Sequence, residues 1–121
     1  YACSREGGIE FDIFREMQEK DLKIVQKFKE LVLKKVPVEE IRVFGSRAQG
    51  VATAESDLDV FIIVESLDRE IEKYISECTW EAGFPEDVVV APVVISREKL
   101  NSGNIKESVF IKRVYEEGII V

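Results

Sequence analysis

The chain has 121 residues, 45% of them hydrophobic and 34% charged, a balance that fits one soluble globular domain and argues against disorder. It carries no histidine, which removes histidine acid–base chemistry, serine–histidine triads and most zinc sites. The net charge of -7 disfavours nucleic acid as a partner, and no apolar run approaches the roughly 20 residues of a membrane span.

Residues 1–8 read as a flexible tail broken by Gly7 and Gly8, leaving 9–121 as a single domain. From about residue 11 to 36, apolar side chains at Phe14, Met17, Ile24, Val25, Phe28, Leu31 and Val32 recur at helical spacing, with an interruption near Asp21. The mixed charges over 20–35 read as the solvated face of that helix, and Pro37 ends it. Residues 40–44 alternate as a short strand, Gly45 and Ser46 turn the chain, and residues 50–56 form a loop of small residues. A second strand covers 57–64. A helix follows over 68–82, with Ile71, Tyr74, Ile75, Cys78 and Ala82 on one face and Gly83 as its stop. Residues 87–95 form a third strand, which Pro92 assigns to a sheet edge or a bulge. Ser96 caps a short segment, and a last helix covers 105–117 before an apolar tail. This order predicts an α+β (mixed α/β) domain: a small mixed sheet with helices packed mainly on one face. Cys3 and Cys78 do not suggest a disulfide framework. No basic segment followed by an apolar one marks a signal peptide, so a cytoplasmic location is expected.

The informative stretch is FGSRAQGVATAESDLDVFIIV, residues 44–64. Residues two apart on a strand face the same way, so Asp57 and Asp59 would project together with Cα atoms roughly 6.6 Å apart. Two carboxylates so placed at the mouth of an apolar strand repel each other and lose solvent, and a divalent cation relieves both costs. Hard oxygen ligands suit Mg²⁺ or Mn²⁺, which commonly share one or two protein carboxylates with substrate phosphates. Gly45 allows close approach of a ligand to the backbone, Ser46 offers a hydroxyl, and Arg47 offers a charge for phosphate. Taken alone, Asp-x-Asp is an ordinary pair of exposed acids, Gly-Ser an ordinary turn, and Arg47 an ion-pair partner for Glu55 or a neighbouring acid. Trp80 reads as a core or helix-edge aromatic.

The combination Gly45-Ser46, ten residues, then Asp57-Leu58-Asp59 resembles the G-S-x10-D-x-D signature of the DNA polymerase beta-like nucleotidyltransferases, and the layout is similar to their minimal stand-alone members. The resemblance implies two-metal transfer of a nucleoside monophosphate, AMP from ATP, to an acceptor hydroxyl. It implies metal-holding and catalytic roles for Asp57 and Asp59, and triphosphate binding by Gly45 and Ser46, with Arg47 beside them. It further implies a third carboxylate on the next strand, for which Asp87 is the candidate; if Asp87 faces away, the base is unassigned. Small members of this family are often antitoxins that adenylylate a helical HEPN-type toxin, so such a toxin is an implied partner. The alternative is a catalytically inactive nucleotide- or partner-binding module on the same fold. A polymerase or tailing enzyme fits the chemistry but not the acidic balance.

Overall fold

A computed structural model of the chain describes residues 17–50, 55–102, 105 and 108–121. The expected tail, Phe14, Cys3 and the middle of the 50–56 loop lie outside the described residues.

Helix α1 runs over Glu19–Leu33 and α2 over Arg69–Gly83. Strands β1 (Val38–Phe44), β2 (Leu58–Val64), β3 (Val90–Ser96) and β4 (Ile119–Ile120) form one sheet in the order β3-β2-β1-β4. β1 is antiparallel to β2 and to β4, whereas β2 and β3 run parallel, joined through α2. Two short helices, α3 (Arg97–Asn101) and α4 (Val109–Glu117), complete the domain. The result is a mixed sheet in an α+β fold, as the element order predicts. Pro92 stands on β3, an outer strand that tolerates a missing donor.

The two faces of the central strand carry different cores. Leu58, Val60, Ile62 and Val64 join Ile41, Val43 and the apolar stripes of α1 and α2, among them Ile24, Val25, Phe28, Val32, Ile75 and Cys78. On the other face Phe61 and Ile63 meet Leu100, Ile111 and Val114 of α3 and α4. The two long helices therefore cover one face as expected, and the two short ones close a smaller cluster on the opposite face. β2 is buried on both sides, which explains its nearly continuous apolar run. Asp59 is the exception: it is half-buried and falls on the α4 face, two residues before Phe61.

Local chemistry fixes the element ends. The Asp68 side chain accepts from the Ile71 N–H at 2.8 Å, Ser96 from Lys99 at 3.2 Å, and Ser108 from Ile111 at 3.1 Å, each satisfying an orphan donor of a first turn. Gly83 does not stop its helix outright. The chain passes into a 3₁₀ turn over Phe84–Glu86, and a Cβ on Gly83 would stand 2.2 Å from the Val88 carbonyl oxygen. Glycine is required there because the strand-bound chain crosses directly over the helix end. The last helix begins at Val109 rather than 105, after Ser108 caps it. The apolar tail is a strand: Ile119 and Ile120 pair with Val43 and Arg42.

Candidate active site

The site is built where β1 ends and β2 begins. Phe44 is the ladder partner of Asp59, so the turn that leaves β1 stands beside the Asp59 carboxylate. Gly45 opens that turn with φ at +80°, a left-handed conformation that L side chains rarely adopt. A Cβ built on Gly45 would lie 2.4 Å from Asp59 Oδ2. Both the conformation and the space therefore demand glycine, and the missing side chain lets the Asp59 carboxylate lie against the backbone. The following residues wind into a single turn, with the Gln49 N–H donating to the Gly45 and Ser46 carbonyls at 3.3 and 3.2 Å.

Asp57 is exposed and immediately precedes β2, while Asp59 is half-buried within it. Burial raises the Asp59 pKa above its ordinary carboxylate value, and the negative charge of Asp57 raises it further. The two acids are thus electrostatically coupled, the condition that a shared cation would relieve. The edge-to-face pair of Phe44 and Phe110, with centroids 5.5 Å apart, lies on the same side of the sheet as Asp59.

Arg47, read as a charge for phosphate or as an ion-pair partner for a neighbouring acid, makes an ion pair in the structure. It is 5% exposed, its Nε donates to the Ser56 carbonyl at 2.7 Å and its Nη1 to Asp21 Oδ1 at 2.7 Å. Asp21, 1% exposed, lies in the first turn of α1 rather than on a solvated face. The guanidinium is directed into the protein because the Asp21 carboxylate is buried there and needs a counter-charge. It binds the turn after Gly45 to α1 and to the residue just before Asp57. Arg47 therefore holds the two halves of the site at a fixed separation. Gln49 adds a second tether, its Nε2 donating to Glu117 at 2.8 Å. Asp21 was invisible as a site residue because its partner lies 26 positions away.

Asp87 is displaced from its expected place. β3 starts at Val90, and Asp87 instead ends the 3₁₀ turn at φ +57°, with its N–H bonded to the Phe84 carbonyl at 3.0 Å. Its neighbours across the adjoining hollow are Thr79, Trp80 and Phe84. Among the described residues no group of three His, Cys, Asp or Glu side chains is arranged to hold a metal, so Asp87 does not join Asp57 and Asp59. The strand position paired with Asp59 is Ala91, which has no polar group to offer. Cys78 is buried and not in a disulfide, burial pushes its thiol pKa up, and it packs in the core with α1 and α2. No described helix is long and apolar enough to cross a membrane.

With this geometry in hand, comparison with known proteins is informative. A family model described as a nucleotidyltransferase domain matches residues 23–118, most of the chain. A search of curated proteins found no match. Two solved structures are similar in fold. A crystal structure of a toxin–antitoxin with AMP-PNP is 20% identical, with 78% of this chain and 69% of that chain covered and a TM-score of 0.55. A mutant of the toxin–antitoxin MntA–HpeT is 17% identical, with 83% and 70% covered and a TM-score of 0.52. At these identities the likeness is one of fold.

Proposed function

The chain belongs to the nucleotidyltransferase domain family, and on that premise we propose that it transfers a nucleoside monophosphate, AMP from ATP, to an acceptor hydroxyl. The observation that carries this reading is the seat of Asp59 against Gly45, where a β-carbon would meet the carboxylate at 2.4 Å, with the charge of Asp57 felt beside it. That arrangement suits Mg²⁺ or Mn²⁺: two coupled carboxylates supply hard oxygens, and a nucleotide's phosphates supply others. When bound, divalent ions would neutralise charge on the α-phosphate and on the departing pyrophosphate.

The residues of the chain act around that chemistry. Asp57 and Asp59 hold the cations. Gly45 and Ser46 receive the triphosphate, the first by leaving backbone accessible and the second through its hydroxyl. Arg47, through Asp21 and Ser56, keeps that turn and the aspartates in register. In the transfer, the acceptor hydroxyl gives up its proton to solvent water, its oxygen bonds to the α-phosphorus, the bond from that phosphorus to the β-bridging oxygen breaks, and pyrophosphate leaves with the electron pair. Positioning and electrostatic stabilisation provide most of the acceleration. A helical HEPN-type toxin is the proposed acceptor protein, and the fold shared with the two toxin–antitoxin structures supports it.

The test is transfer of label from α-³²P-ATP to protein in the presence of Mg²⁺, with γ-³²P-ATP as the control. The proposal predicts labelling from the α-position only, lost in Asp59→Asn. A second reading, a binding module without catalysis, is favoured by the seat of Asp87, since no third acid joins the pair among the described residues. It predicts binding of ATP with no label transferred by either protein.

A further inference from the structure

Beyond the site, the surface at the corner of α2, the 3₁₀ turn and the start of β3 is out of keeping with a domain that faces only water. Trp80 is 66% exposed, Phe84 72% and Val89 65%. The Trp80 and Phe84 rings lie 6.1 Å apart and form a ridge between two hollows. One, of about 310 Å³, is floored by Thr79, Val88 and Val90; the other, of about 470 Å³, is bounded by Lys27, Glu81 and Pro85. Large apolar side chains left together in water mark interaction surfaces, and Trp is prominent among interface anchors. The patch lies next to the catalytic corner, because the Val89 carbonyl accepts from the N–H of Leu58, the residue between the two aspartates, at 2.8 Å.

Charge selects the occupant. Residues 65–87 contain eight acidic residues against Arg69 and Lys73, so nearly all of the net charge of the chain is concentrated in this segment. Glu81 and Asp87 are exposed and line the hollows, Glu77 is exposed about one turn before Trp80 on α2, and among the described residues Lys27 is the one base lining either hollow. A second copy docking patch to patch would bring these acids together, and nucleic acid would add phosphates to them. We propose that the Trp80–Phe84–Val89 patch docks an amphipathic protein segment whose apolar stripe is flanked by lysines or arginines. Its apolar side chains fill the two hollows and its bases meet the acidic rim. On the transferase reading, on which only this clause rests, the docked protein is the acceptor, brought to the corner where Asp57 and Asp59 stand.

Trp80 is the only tryptophan of the chain and reports on its own patch. The full chain is titrated, without nucleotide or metal, with a helical peptide bearing leucines on one face and lysines on the other. A matched leucine–glutamate peptide is the control. The expected result is a saturable blue shift of Trp80 emission with the lysine peptide alone, weakened more than tenfold in Phe84→Ser and in Glu77→Lys/Glu81→Lys. Circular dichroism checks that both variants keep the fold. No shift, or equal binding of the glutamate peptide, overturns the proposal. So does a shift that grows with protein concentration alone, which assigns the patch to a second copy, or one produced by ATP alone, which assigns it to a nucleoside base. Because the readout omits nucleotide and metal, a chain that transfers no label can still pass this test, and failure here leaves the transfer assay unaffected.

Discussion

Asp59, half-buried at the mouth of β2, is expected to weaken the fold at neutral pH. Its pKa is raised by burial first and by Asp57 second, so the folded chain holds this proton more tightly than the unfolded chain. Below the ordinary carboxylate range both states are protonated and the residue adds no penalty. As pH rises through that range the unfolded chain ionises first, stability falls, and the cost becomes constant above the raised pKa. Asp59→Asn is therefore expected to melt at a higher temperature than the parent at pH 7, with the two converging near about pH 3. Mg²⁺ should raise the melting temperature of the parent and not of the variant. Calorimetry over a pH series checks the sign, and a variant less stable than the parent at neutral pH would contradict it. The neighbouring glycine is equally constrained. Gly45→Ala places a β-carbon where Asp59 Oδ2 lies, in a left-handed conformation costing about 1–2 kcal/mol for other residues. Urea denaturation should show a loss of at least that size, with weaker Mn²⁺ binding by titration calorimetry.

The two halves of the site are joined by an ion pair between elements rather than by the motif that names them. Arg47 and Asp21 are both nearly inaccessible, and removing one partner of a buried pair typically costs about 3–5 kcal/mol because the other charge is left unpaired. Arg47→Met is expected to lose an amount in that range by chemical denaturation. Arg47→Met/Asp21→Asn should lose less, since no lone charge remains. Arg47→Lys keeps the charge but not the geometry that reaches both Asp21 and the Ser56 carbonyl, so it should fold and bind Mn²⁺ more weakly. These relations were not legible in the sequence, where Asp21 looks like one more charge on a solvated helix and Arg47 could serve a phosphate or any neighbouring acid. Regular periodicity did reveal α1 and α2, because burial repeats along each, and an almost unbroken apolar run revealed β2. Periodicity could not reveal β4, whose two isoleucines have no period of their own and become a strand only by pairing with β1. The expected start of the third strand at Asp87 was displaced for a related reason. A run of valines looks like strand from its first residue, but the chain leaves the 3₁₀ turn through a left-handed Asp87, and Asp87, Val88 and Val89 pass before β3 begins at Val90.

At the scale of the molecule, the sheet sets out the division of labour. Its central strand is sealed between two cores, and the one place where that seal opens is the end carrying Asp57 and Asp59. The Gly-Ser and Asp-x-Asp positions were legible as a candidate site because the proposed chemistry fixes both residue type and spacing. The proposed docking patch was not, since Trp80 in an amphipathic helix reads as core or as helix edge until the fold shows which face it occupies. The acidic surplus that disfavours nucleic acid lies mostly on α2 and its flanks, beside the aromatic patch. Whether the two aspartates hold metal against a nucleotide is read from a crystal grown with Mn²⁺ and a non-hydrolysable ATP analogue, by anomalous scattering at the manganese edge. The account predicts manganese peaks bridging the Asp57 and Asp59 carboxylates to the phosphates, with the phosphate chain against Gly45 and Ser46. Nucleotide bound elsewhere, or manganese absent from both aspartates, would contradict it.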